Sequence, residues 1–366
     1  MAGTQDVVVI TGTSAGHGRA VARGFARQGA KIGLLARGRE ELEAAPSGRW
    51  ESLGGQALVV PTDVADADQV EAASQAVEAE LGPISIWVNN AMVSVFSPVK
   101  TLRPEEISRV TEVTYLGYVY GTMTALRRML PRDRGVIIQV GSALAYRGIP
   151  LQAAYCGAKH AIGGFTESLR TELLHDKSRV RVTMVQMPTM NTTQFPWSKN
   201  KMDHNPRPVP PIYEPKVAAH AVIWAACHDR REIDVRGATV AAILANKIVP
   251  GLLDHYLARN GYRSQEAPAP VDRTRPDNLW RPVPGDHGVH GPFSDRSIRR
   301  SPELWTTLHR GTIAVLAGLG LALAGLSAGL RRSRRGATHA NRPVIAPAIR
   351  GASDEHGARL RELPTM

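Results

Sequence analysis

Val7-Val8-Val9-Ile10-Thr11-Gly12-Thr13-Ser14-Ala15-Gly16-His17-Gly18-Arg19 is the stretch whose reading decides the fold. Four apolar β-formers run into a loop with three glycines, and the loop opens a helix-length stretch over 19–28. A short unbroken apolar run reads as a strand covered on both faces. Glycine lets the chain turn sharply after such a strand and lets backbone approach a ligand closely. The following helix aims unpaired N–H groups and the positive end of its dipole at whatever lies over the loop, which suits a phosphate. Gly12, Ser14, Gly16, His17 and Gly18 are therefore candidate phosphate-binding residues, with His17 packing near the phosphates rather than acting chemically. A plain glycine turn is the competing reading, and the strand–turn–helix context weighs against it.

Outward from that loop, apolar runs of strand length recur at 31–36, 57–60, 84–89, 135–140 and 180–186. Helix-length stretches at 67–81, 105–129 and 152–176 lie between them. Strands alternating with helices predict an α/β fold, a Rossmann-type doubly wound parallel sheet wrapped on both faces. This domain is expected over 1–262. A Pro-, Arg- and Asp-rich segment, 263–310, reads as either an ordered arm or an extended linker. Residues 312–330 then carry no charge and, as a helix, span about 28 Å against a hydrocarbon core of ~30 Å. A membrane helix is expected over 311–331, with Gly318, Ala322, Gly325 and Gly329 forming a small-residue stripe. A buried C-terminal helix is the alternative. Residues 332–366 are polar and expected to be disordered.

Composition narrows the function classes. Of 366 residues 43% are hydrophobic and 21% charged, ample for a large core. Two cysteines, Cys156 and Cys227, are too few for a disulfide framework and suit a reducing compartment. No charged-then-apolar export signal precedes the first strand. The net charge of +12 raises the question of nucleic acid, yet aromatics are only 5% and no segment interleaves them with basic residues. Nucleic-acid binding is not expected, and no metal-ligand spacing stands out.

Further residues fall in order at the ends of the predicted strands: Asp63, Asn89-Asn90-Ala91, Ser142 and Pro188, with Tyr155-x-x-x-Lys159 opening the helix after Ser142. With Thr11-Gly12-x-x-x-Gly16-x-Gly18, this series resembles the short-chain dehydrogenase/reductase family, in its single-domain branch. The resemblance covers about 6–250. It implies an NAD(P)-dependent oxidoreductase with Gly12, Ser14, Gly16, His17, Gly18, Arg37, Asp63, Asn89, Ala91, Tyr155, Lys159 and Pro188 at the cofactor. It also implies a homo-oligomer. A carboxylate after the second strand would repel a ribose 2′-phosphate. Ala36 stands there, followed by Arg37, so NADP is favoured over NAD; a solvated Arg37 is the competing reading.

Tyr155 and Lys159, four apart, share one helix face. A free phenol with a pKa of ~10 is too weak an acid for proton exchange at neutrality, and a nearby ammonium favours the phenolate. Ser142, 13 residues before Tyr155, would hold the substrate oxygen. His160 and Cys156 point round the helix from this pair and read as structural. Two departures from the family pattern stand out. Thr114 replaces the asparagine that holds a relay water there and is taken as its substitute; Met92 and Thr189 replace glycines.

Phe195, Trp197, Met202 and Tyr213 in 192–215 predict a bulky, lipophilic alcohol or ketone as the small-molecule substrate, unless they only pack against Trp224 and the final helix. The expected location is membrane-associated, with the catalytic domain facing the cytoplasm. Arg331, Arg332, Arg334 and Arg335 also prefer that side, which suits a shallow or re-entrant anchor. A catalytically weak cofactor-binding sensor or scaffold is the reading from another class.

Overall fold

A computed structural model describes residues 6–43, 53–235 and 245–339. Two units make up the chain, Met1–His309 and Arg310–Met366. In the first, strands β1 (Val7–Thr11), β2 (Lys31–Ala36), β3 (Gln56–Pro61), β4 (Ile84–Asn89), β5 (Val136–Ser142), β6 (Arg181–Met187) and β7 (Glu232–Asp234) form one sheet. All its pairings are parallel and the order is β7-β6-β5-β4-β1-β2-β3. The order reverses between β1 and β4, where successive crossovers leave by opposite faces and a crevice opens at the carboxyl ends.

Side chains alternate across each strand and fill two cores. Val8, Ile10, Ile32 and Leu34 pack on one face with α1 (Gly16–Ala26) and α6 (Pro215–Cys227), through Val21, Phe25, Ala218 and Val222. Val7, Val9 and Leu35 pack on the other, against α2 (Ala67–Leu81), α3 (Pro104–Thr111), α4 (Gly117–Met129) and α5 (Ala153–His175). Each fully buried Val, Ile or Leu is worth roughly 1.5–3 kcal/mol, which is why these runs cannot slip register cheaply.

Two features differ from the sequence expectation, and a third decides between two readings that the sequence left open. The stretch 105–129 is not one helix: a π turn, Glu112–Leu116, separates α3 from α4. Such a turn fits one extra residue and rotates the faces that follow it. Strand β7 lacks an apolar run, since it is three residues at the sheet edge, paired among the described residues with β6 alone. Residues 263–309 form an arm, not a free linker. After α7 (Pro250–Gln265), Glu266–Pro270 pairs antiparallel with His204–Pro206, and Ser297–Ile298 pairs with Ile212–Tyr213. Leu279, Val289, Leu304 and Leu308, the last two on α8 (Pro302–Leu308), are buried in the main cores.

In the second unit, helix α9 (Arg310–His339) runs eight residues beyond the expected end at 331. Its segment Arg310–Ala328 has a mean hydropathy of 1.9 and is long and apolar enough to cross a membrane. The expected disordered tail lies, over 340–366, outside the described residues.

Candidate active site

The glycine loop turns with Gly12 at φ +72°, a backbone state that favours glycine. A Cβ on Gly12 would lie 2.7 Å from the Ala91 Cα, and one on Gly18 would lie 2.1 Å from the Gly12 carbonyl oxygen. Backbone therefore meets backbone here, and any side chain would push the loop off β4. Behind it, Asn90 Nδ2 donates to the Thr11 and Gly12 carbonyls at 2.8 and 3.2 Å. Its Oδ1 meets His17 Nδ1 at 2.8 Å. Burial drives the His17 pKa down to about 4, so the imidazole is neutral at pH 7. No side chain caps α1, which leaves its first N–H groups for partners outside the helix. One is already engaged: Gly16 N–H donates to the Gly288 carbonyl of the arm at 2.9 Å.

At the inner end, β5 delivers Ser142 and the first turns of α5 deliver Tyr155 and Lys159. The Ser142 hydroxyl accepts from Leu144 N–H at 3.2 Å and lies close enough to the Tyr155 phenol to favour its ionised form. Lys159 is 2% exposed; its Nζ donates to the Val140 carbonyl at 2.7 Å and to the Tyr118 hydroxyl at 3.0 Å, and lies 5.7 Å from the Tyr155 ring centre. Burial lowers the Lys159 pKa to about 7. Burial also raises Tyr155 above its ordinary value, the Ser142 hydroxyl pulling the other way. The ammonium that was expected to lower the phenol is thus itself desolvated.

At the outer end, Arg37 donates to the Asn278 and Leu279 carbonyls of the arm. Asp63 accepts from Ala65 N–H at 3.1 Å and pairs with Arg109, whose Nε reaches the Leu279 carbonyl at 3.2 Å. Arg19, 1% exposed, is held by Asp286 and the Ser14 carbonyl.

These ends belong to one cleft of about 1200 Å³, counting its open mouth. Gly12, Ser14, Gly16, His17, Gly18, Arg37, Asp63, Ala91, Tyr155 and Lys159 all line it. A backbone cradle closed to any Cβ, an uncapped helix start and a cation at the far end fit a dinucleotide. Four expected residues do not line it. Ser142 stands just behind, on Tyr155. Asn89 is corrected from cofactor ligand to structural residue: it accepts from Trp87 Nε1 at 2.8 Å and donates to Tyr118 O, Thr122 Oγ1 and Gln139 Oε1. Asn90, its neighbour, is the one in the cleft. Pro188 is likewise replaced on the wall by Met187 and Met190. Thr114 does not line the cleft; its hydroxyl accepts from Val93 N–H at 3.1 Å and gives its one proton to the Val93 carbonyl at 3.0 Å.

Sequence reasoning missed Tyr118 and the arm's contribution, Asn278, Pro282, Val283 and His287. The Asn-Asn dipeptide held a signal for Asn90. Nothing local marks the arm. Of the lid residues, Trp197 lines the cleft and stacks edge-on with His287 at 4.7 Å. Phe195 and Met202 join Phe96 and Leu151 in a small apolar cluster, while Tyr213 belongs to the main core.

Known proteins resemble this chain in sequence and in fold. A family model described as short chain dehydrogenase matches residues 6–204. The uncharacterized oxidoreductase YxnA of Bacillus subtilis (strain 168) is 31% identical over 318 residues, 86% of this chain and 88% of that one. Dehydrogenase/reductase SDR family member 7 of Homo sapiens is 37% identical over 173 residues, 46% of this chain and about half, 51%, of its own length. Among solved structures, an alcohol dehydrogenase from the archaeon Thermococcus sibiricus, complexed with 5-hydroxy-NADP, is 25% identical with a TM-score of 0.53. It covers 63% of this chain and 95% of its own. With a glycine cradle, a Ser–Tyr–Lys cluster and a seven-stranded sheet in this order, the chain belongs to the short-chain dehydrogenase/reductase family of oxidoreductases.

Proposed function

We propose that the protein is an NADP(H)-dependent alcohol dehydrogenase or carbonyl reductase that acts on a lipophilic alcohol or ketone at a membrane surface. One observation carries the reading: Tyr155 and Lys159 meet at the inner end of the cleft that the glycine loop opens, with Ser142 just behind Tyr155. When bound, the dinucleotide supplies the hydride and, oxidised, a positive ring that favours the phenolate of Tyr155. The protein does the rest. Ser142 Oγ holds the substrate oxygen, Tyr155 Oη gives or takes its proton, and Lys159 holds the cofactor ribose beside them.

Ala36 and Arg37 support NADP: no carboxylate stands after β2 to repel a 2′-phosphate, and a guanidinium lines that end of the cleft. The solved relative bound to 5-hydroxy-NADP points the same way. Met92, Met190 and Trp197 on the cleft wall, with the nearby Phe96–Phe195–Met202 cluster, support an apolar substrate. Helix α9 supports membrane association, since Leu316, Leu319, Leu321, Leu323 and Leu326 are all more than half exposed. That much apolar side chain in water favours lipid.

Tyr155→Phe tests the chemistry. NADPH oxidation across a panel of lipophilic ketones should fall by about a hundredfold or more, with the protein still folded. An unchanged rate refutes the enzyme reading and leaves a sensor, which the engaged Thr114 hydroxyl would favour. For the anchor, a chain ending at His309 keeps Leu304 and Leu308 in the core, so it should fold and move from the membrane pellet to the supernatant. Equal recovery of both chains in the supernatant removes the membrane claim.

A further inference from the structure

We propose that Tyr118 is the positioning residue for Lys159: its phenol oxygen and the Val140 carbonyl hold the ammonium at the cleft floor, a task the Thr114 hydroxyl does not perform. The inference rests on the reading of Lys159 given above, but the pair itself is testable without cofactor.

Thr114 lies inside the π turn with both hydroxyl functions closed on Val93. Four residues on, in the first turn of α4, Tyr118 passes through the core and is 1% exposed. Its hydroxyl donates to the Val140 carbonyl at 3.1 Å and accepts from Lys159 Nζ at 3.0 Å. Lys159 Nζ also reaches Val140 O at 2.7 Å and stands 4.6 Å from the Tyr118 ring centre. An ammonium has three donors in a fixed tripod. Two are committed here, so the third direction is set, toward the cleft that Lys159 lines with Tyr155.

The ionisable groups facing Lys159 are Tyr155 on its own helix, Tyr118 on α4 and His17 on α1. His17 is neutral, with its pKa at about 4, and burial holds the Tyr118 phenol protonated far above neutrality. None supplies a negative charge at pH 7. With burial holding Lys159 near 7, neutral oxygen acceptors are what keep the cation in place.

The test compares wild type with Tyr118→Phe, cofactor-free, by thermal unfolding from pH 5.5 to 9. Lys159 has a folded pKa below its unfolded value, so its charge destabilises the fold at low pH, and the penalty begins to lift as pH rises through the folded pKa and is gone above the unfolded one. Losing an acceptor from the cation lowers that folded value by about one unit further. The Tm deficit of Tyr118→Phe should therefore be largest at pH 5.5, shrink to a small residue above pH 8, and lose its pH dependence in a Lys159→Met background. A deficit equal at all pH values, or one whose pH dependence survives Lys159→Met, overturns the proposal. Should Tyr118→Phe not fold, Tyr118→Gln against Tyr118→Leu asks the same question. The retained acceptor oxygen should restore low-pH stability selectively, and equal pH profiles overturn the idea.

In turnover, kcat of Tyr118→Phe should drop roughly tenfold at pH 7 with KM for the carbonyl substrate nearly unchanged. Its pH–rate profile should shift about one unit toward acid. A rise in KM alone counts against positioning. If wild type turns over no substrate at all, the function above fails, while the Tm series still decides the Tyr118–Lys159 pair.

Discussion

The two ends of the cleft are built on different principles. At the inner end, Ser142, Tyr155 and Lys159 come from one strand and the helix after it, all within the family-matched residues 6–204. At the outer end, Gly16, Arg19 and Arg37 are held by Gly288, Asp286 and Asn278–Leu279, from an arm beyond that match. The Arg19–Asp286 contact alone joins residues 267 apart in sequence. The Ser–Tyr–Lys cluster is thus placed by short-range spacing, and the outer end of the cleft by a long-range return of the chain. Changes at the inner end should appear in kcat, and changes at the outer end in cofactor affinity and exchange.

The largest expected effect is the hundredfold or greater loss in Tyr155→Phe, confined to the chemical step and leaving NADPH affinity within a fewfold of wild type. A parallel collapse of NADPH binding would break the division between the ends. Arg37→Ala comes next. If the guanidinium meets the 2′-phosphate, the KM for NADPH should rise by roughly tenfold or more with NADH little changed. Equal weakening of both would mean that Arg37 acts by holding the arm through Asn278 and Leu279 and not by reading the phosphate. The smallest effect belongs to Asp286→Asn. Asp286 is about half exposed, so the pair with Arg19 is partly screened. NADPH release in stopped flow should quicken by about threefold, and trypsin should cut faster after Arg281. Unchanged release with faster cleavage would show that the arm moves but does not gate the cofactor.

Much of this was legible residue by residue. The six long strands announce themselves because strands buried on both faces need continuous Val, Ile and Leu, and the structure has their ends within two residues of the expected places. The glycines of the loop were legible for a similar reason, as the backbone contacts at Gly12 and Gly18 tolerate no other side chain. Asn89 and Thr114 were expected at the cleft, but a motif gives a position and not a direction. Both side chains turn into the core, where buried polar atoms must find partners, and both find them there. Tyr118 had no motif at all; its role emerges only when the helix after a π turn brings a hydroxyl, and a neighbouring helix a buried ammonium, to one carbonyl.

From the sequence by itself come the sheet, the phosphate loop and the Ser–Tyr–Lys spacing. Each is written in local periodicity or in neighbours a few residues apart, and short-range sterics and hydrogen bonding act there directly. Only the tertiary structure decided that residues 263–309 return over the cofactor cleft, that Asn90 rather than Asn89 faces it, and that Tyr118 supports Lys159. Those contacts join segments far apart in the chain, and their energies exist only after the core has packed and removed the water that would otherwise satisfy the same groups.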